Sequence, residues 1–245
     1  MRRSSLYLGF SIFFMVFAGF VAVKAKRHHF RCQERAAECS VLQLGLEHTR
    51  AADELIHQGY VCAMLRDYAQ TASFVRGALE QDPNHAEAYC MLGYAQRGLN
   101  DFHGAEANYT IAILLAEKDP ITHRRLLIDA LTGRAAAYLG QGRGQSARLD
   151  LDRALAMALQ QAQQGKSPGA ELYQLACVYS VRSGLHRVDR KLSGTSMSRQ
   201  VYSDQMEAID YLKRAQRKNY PDAMHLQGDQ DLDPIRNHTR FPSGS

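Results

Sequence analysis

ADELIHQGYVCAMLRDYAQTASFVRGALEQDPNH, residues 52–85, is followed at once by AEAYCMLGYAQRGLNDFHGAEANYTIAILLAEKD, residues 86–119. The two stretches are each 34 residues long and match when overlaid: Ala52 on Ala86, Asp53 on Glu87, Gly59 on Gly93, Tyr60 on Tyr94, Leu65 on Leu99, Asp67 on Asp101, Tyr68 on Phe102, Ala78 on Ala112 and Leu79 on Ile113. A fixed period of this length marks a stacked repeat. Each unit reads as two antiparallel helices, with Gly59 and Gly93 on the first helix and Ala78 and Ala112 on the second, where backbones approach closest. Tyr68 and Phe102 plug the space between. A single hairpin leaves an apolar face in water; stacking several hairpins buries it.

These residues resemble the tetratricopeptide-repeat family. The second unit carries the family's offsets as Tyr89, Leu92, Gly93, Gln96, Phe102, Ala105, Tyr109 and Ala112, and the first as Leu55, Gln58, Gly59, Cys62, Tyr68, Thr71, Val75, Ala78 and Pro83. A third unit follows an eight-residue shift marked by Asp119 and Pro120, with Leu131, Ala135, Tyr138, Ala147, Leu151, Ala154 and Leu155 in place. Gly144 stands there where an aromatic belongs, which predicts a looser turn. A fourth begins after the loop signal Gly165, Ser167, Pro168 and Gly169, with Leu172, Leu175, Ala176 and Tyr179 in its first helix and Ala208, Leu212 and Ala215 in its second. Between those helices the Ser-, Gly- and Arg-rich stretch 182–203 reads as an insertion.

The expected fold is therefore all-α, an α-α superhelical solenoid of about four helical hairpins over 52–217, with units near 52–85, 86–127, 128–167 and 169–217. Residues 24–51 read as a juxtamembrane helix or a half-repeat, with Ala37, Val41 and Leu44 at second-helix offsets. Residues 218–245 read as a C-terminal cap and tail; their ending, Asp231, Leu232, Asp233, Pro234, Ile235, Arg236 and Phe241, is similar to that of bacterial tetratricopeptide proteins.

A basic start at 1–5 precedes an uncharged run, 6–23, holding Phe10, Phe13, Phe14, Phe17 and Phe20. Eighteen residues at a helical rise reach roughly 27 Å, enough for a bilayer's hydrocarbon layer. The run reads as a single transmembrane helix, with a cleaved signal peptide ending near Val23 and Ala25 as the alternative. Lys24, Lys26, Arg27 and Arg31 beyond it outnumber Arg2 and Arg3 before it, which leans the array toward the cytoplasm.

The net charge of +5 is too small, and too concentrated at that segment, to imply nucleic acid, and no nucleic-acid motif occurs. Five cysteines without paired short spacings make neither a zinc site nor a redox motif. Asp229, Asp231 and Asp233 alternate like the start of a calcium loop, yet Pro234 replaces its glycine and no glutamate closes it, so a solvated cap is expected. No activated nucleophile, metal set or cofactor fingerprint is recognisable, and the chain is read as a non-enzyme without catalytic, cofactor or metal residues.

The family resemblance implies a concave face lined by first helices that accepts a protein or peptide partner. Carried over by offset, its lining is Asp53, Ile56, Tyr60, Glu87, Tyr94, Arg97, Asp129, Thr132 and Tyr173. A clamp for chaperone-tail carboxylates would need Lys and Asn where Ile56, Tyr60, Cys90 and Tyr94 stand, so that ligand is not expected. The expected function is a membrane-anchored scaffold or adaptor; the alternative is a secreted or periplasmic protein whose ligand-binding or enzymatic activity lies in 182–203.

Overall fold

The computed structural model describes residues 50–163, 168–188, 194–220 and 223–242. The anticipated transmembrane run and half-repeat lie outside them, and among the described residues no helix is long and apolar enough to cross a membrane. The chain from Ala51 onward forms one compact unit. It is all-helical among the described residues: α1 (50–64), α2 (Tyr68–Gln81), α3 (Ala86–Gly98), α4 (Phe102–Ala116), α5 (Arg124–Gly140), α6 (Gly144–Gln163), α7 (Gly169–Val188), α8 (Gly194–Gln216), α9 (Ala223–Gly228), a 3-10 turn (Gln230–Leu232) and α10 (Asp233–Arg236). Consecutive helices from α2 to α8 pack on one another, while α3, α5 and α7 also meet directly, so these alternate helices share one face of a solenoid-like stack.

The 34-residue period has a local cause. Arg66 and Asn100 take up the left-handed conformation with φ of 61° and 63°, and Asp67 and Asp101 then cap α2 and α4 by accepting the N–H of Gln70 and Gly104, each at 3.0 Å. Three backbone bonds close each turn, from Leu65, Arg66 and Asp67 and again from Leu99, Asn100 and Asp101. Gln141, Gly142 and Arg143 repeat the same three, with Gly142 at φ 72°, so the third turn is as tight as the others despite Gly144. Arg143 fastens this turn to the preceding hairpin, donating to Glu106 at 2.8 Å and lying 4.3 Å from the Tyr138 ring.

Small residues sit where the spacing placed them. A methyl on Gly59 would stand 3.1 Å from Val75, and one on Gly93 3.0 Å from Tyr109, the same offset one unit on. Tyr68 fills the space over Gly98, and Phe102 that over Gly140, so each aromatic plug bridges its own hairpin to the next.

Three clusters form the core along the stack: Ala52, Ile56, Val75 and Leu92 at the first hairpins, Tyr109, Leu127, Leu131, Leu151 and Leu175 in the middle, and Ile209, Leu212, Leu232 and Ile235 at the end. The stretch expected to be an inserted loop instead lengthens both helices of the last hairpin, α7 to Val188 and α8 from Gly194. Tertiary contacts overrode composition there. Ser180 and Ser183 are fully buried, the Ser183 hydroxyl donates to Ser180 O at 2.7 Å, Leu185 enters the core, and Arg182 pairs with Asp204 across the hairpin.

Candidate functional site

The C-terminal segment does not stay beside the last hairpin. It crosses the face made by the alternate helices, meeting α1 at His225 and Gly228, α7 at Asp229, α3 at Gln230 and Asp231, and the turn after α1 at Asp233. Four residues expected to line a groove touch it. Tyr173 donates its hydroxyl to Asp229 Oδ2 at 2.7 Å. The Tyr94 hydroxyl accepts the backbone N–H of Gln230 at 3.0 Å, and the Gln230 amide donates to Tyr94 O at 2.8 Å. Arg97 donates through Nη2 to Asp231 Oδ1 at 2.5 Å, and the Tyr60 hydroxyl meets Nε2 of His225. Arg66, which the groove offsets missed, pairs with Asp233.

The other expected residues are placed differently. Ile56 is 6% exposed within the first core cluster, and Thr132 is 2% exposed with its hydroxyl donating to Ile128 O inside α5. Both face the interior of the stack, because the offsets mark a stripe wider than the open face. Asp53 is exposed and accepts from His85 Nε2 at 3.1 Å; Glu87 is exposed. Asp129 is an exposed residue whose carboxylate accepts the Gln174 amide of α7 at 2.6 Å, tying α5 to α7.

The segment is itself folded. Arg236 donates to Leu226 O and, at 2.6 Å, to Asp229 O, and it pairs with Asp233 at 2.9 Å, which binds α10 to the start of the crossing. Leu232 and Ile235 bury completely against α7 and α8. His225 stands among the rings of Tyr60, Tyr220 and Tyr173 at centroid distances of 5.5, 5.5 and 6.2 Å. At Gly228 an added methyl would lie 2.1 Å from Met64 O and 2.7 Å from its Cα, so only glycine lets the segment lie so close to α1.

Of the three alternating aspartates expected to form a solvated cap, Asp229 and Asp231 are instead withdrawn against Tyr173 and Arg97, while Asp233 stays exposed in a surface pair with Arg66. Burial works against the Arg97 charge, yet Asp231 and the neighbouring tyrosines hold the guanidinium more firmly protonated than usual. Desolvation raises Asp129, with Gln174 and Arg125 opposing and Asp231 and Asp229 adding to the rise.

Cys177 Sγ and carboxylate oxygens of Asp229 and Asp231 lie within 4.8 Å of one another. They do not fit a metal: Asp231 already faces a guanidinium, Asp229 accepts a phenol, and burial pushes the Cys177 thiol well up, away from the thiolate that coordinates. Burial raises the Cys90 thiol likewise. The chain matches no family model and no curated protein.

Proposed function

We propose that the chain is a tetratricopeptide-type scaffold that binds polypeptide across its alternate-helix face, tethered at a membrane by residues 6–23. The observation that carries this reading is the crossing segment: the face holds a stretch of polypeptide through side-chain-specific contacts from Tyr60, Tyr94, Arg97 and Tyr173. Main-chain capture by Tyr94 with side-chain sockets on either side is the way peptide grooves combine affinity with selectivity. The repeat residues quoted above support the family; no catalytic role is proposed.

Panning a displayed peptide library over the full-length chain in detergent tests it. Enriched peptides should lose binding when Tyr60 and Tyr94 are both replaced by Ala; no enrichment, or enrichment indifferent to that change, refutes the reading. Recovery of intact Met1 in the membrane fraction supports the anchor, and a mature start near Lys26 replaces it with a cleaved leader.

A further inference from the structure

The contents of the groove carry a pattern of their own. Aspartates alternate at 229, 231 and 233, the first against a phenol, the second and third against the guanidiniums of Arg97 and Arg66. The 3-10 turn over Gln230–Leu232 and the start of α10 present the three carboxylates to α7, to α3 and to Arg66 in the turn after α1, while Pro234 opens the helical turn that carries Ile235 into the core. We propose that residues 225–236 are an intramolecular ligand, and that the groove's partner is an acidic peptide of the same design, Asp-x-Asp-x-Asp-Pro with a following branched aliphatic, which binds by displacing them. This rests on the scaffold reading above.

The resident segment is an imperfect ligand. Arg97 is 7% exposed, and while its Nη2 meets Asp231, its buried Nε has no hydrogen-bond partner. A guanidinium that engages a carboxylate through two N–H groups binds it more strongly, and a buried donor left unpaired is costly. A carboxylate on an untethered peptide is free to rotate onto both nitrogens, which the segment's own turn, pinned by Arg236, does not do. Attachment adds to the burial of Leu232 and Ile235 in keeping the segment in place: a short tether acts as a local concentration of order millimolar, which a free peptide must overcome.

Gly228 supplies a way to release the segment without altering the groove, because a methyl there collides with the Met64 backbone, which has nowhere to move. Anisotropy of a labelled peptide copying 223–242 is measured on the full-length chain in detergent, for wild type, Gly228→Ala, and a tail variant combining Asp229→Asn, Asp231→Asn and Asp233→Asn. Both variants should bind the peptide at least about tenfold more tightly than wild type. A peptide with its three aspartates changed to asparagine should bind neither, and Arg97→Met added to Gly228→Ala should abolish the gain. Circular dichroism melting identifies any variant that fails to fold, and the other then decides. Equal affinity of wild type and folded tail variants overturns the inference, as does a wild-type dimer built by exchange of the segment between copies. Peptides selected on Gly228→Ala that lack alternating acids but still require Tyr94 would end this inference and leave the scaffold reading standing; a groove that retains no peptide, open or closed, ends both.

Discussion

Gly133 on α5 faces Tyr109 of α4, and an added methyl would lie 2.3 Å from Cζ, 2.5 Å from Cε1 and 2.5 Å from the hydroxyl oxygen. Tyr109 is 1% exposed and held on its other edge by Gly93, so the ring has no vacant direction in which to withdraw. Gly133→Ala gains about 1 kcal/mol of helix propensity, but overpacking of this kind costs typically 1–3 kcal/mol and more where backbones must part. The backbones must part here, because the clash is with a ring and not with a flexible chain end. A net loss of about 2 kcal/mol is expected. Gly77→Ala is the internal control: it lies within α2, where the methyl would meet only Leu55 Cδ1 at an ordinary 3.5 Å. That change should stabilise by roughly 0.5–1 kcal/mol. Urea unfolding of the full-length variants, followed at the helical circular-dichroism band, separates the two. Equal shifts of the same sign would refute the argument, since both residues are mid-helix glycines and differ in what stands opposite.

Arg134 holds Asp150 through Nε and Nη2 at 2.8 and 2.9 Å and reaches Thr110 with Nη1, binding α5 to α6 and α4. Asp150→Ala leaves that guanidinium unpaired and should cost about 3 kcal/mol in the same unfolding assay, whereas exposed Asp210→Ala, a surface pair with Arg214, should cost less than about 0.5 kcal/mol. Asp129, raised to about 7 in the folded chain from 3.8, binds a proton there that the unfolded chain has released. Its contribution to stability is therefore complete below pH about 4 and is lost as pH rises through about 7. Because Asp129 is exposed as a residue, solvent screening keeps the loss small, at most about 1 kcal/mol. Asp129→Asn should flatten the difference in melting temperature between pH 5 and pH 8, and an unchanged profile contradicts the assignment.

The repeat was legible because its determinants are local. A left-handed turn residue, an aspartate cap and a small residue facing an aromatic recur at fixed spacing, and each does its work within a helix pair or the next one. The crossing segment was not legible. Asp231 and Arg97 are 134 residues apart, and no period links them. The composition of 182–203 misled for a related reason: Ser183, of a type that favours loops by propensity, is a small buried residue where α7 meets α8, and Leu185 enters the core beside it. Tyr60, Tyr94, Arg97 and Tyr173, which the resemblance had placed on the expected lining, contact the C-terminal segment, while Arg66 was hidden because its role in closing a turn is what the repeat displays. Its side chain does something else, reaching Asp233.

A linear array of helix pairs ordinarily frays from whichever end is weaker, since each pair leans on its neighbours alone. Here the segment 225–236 is buckled to the α1–α2 pair at Gly228 and Arg66, like a belt whose tongue returns to its own buckle. Tension applied at residue 242 would therefore meet α8 and α7 first and reach α1 only after Ile235 and Asp233 had let go, so the first pair stays clasped until the belt itself opens.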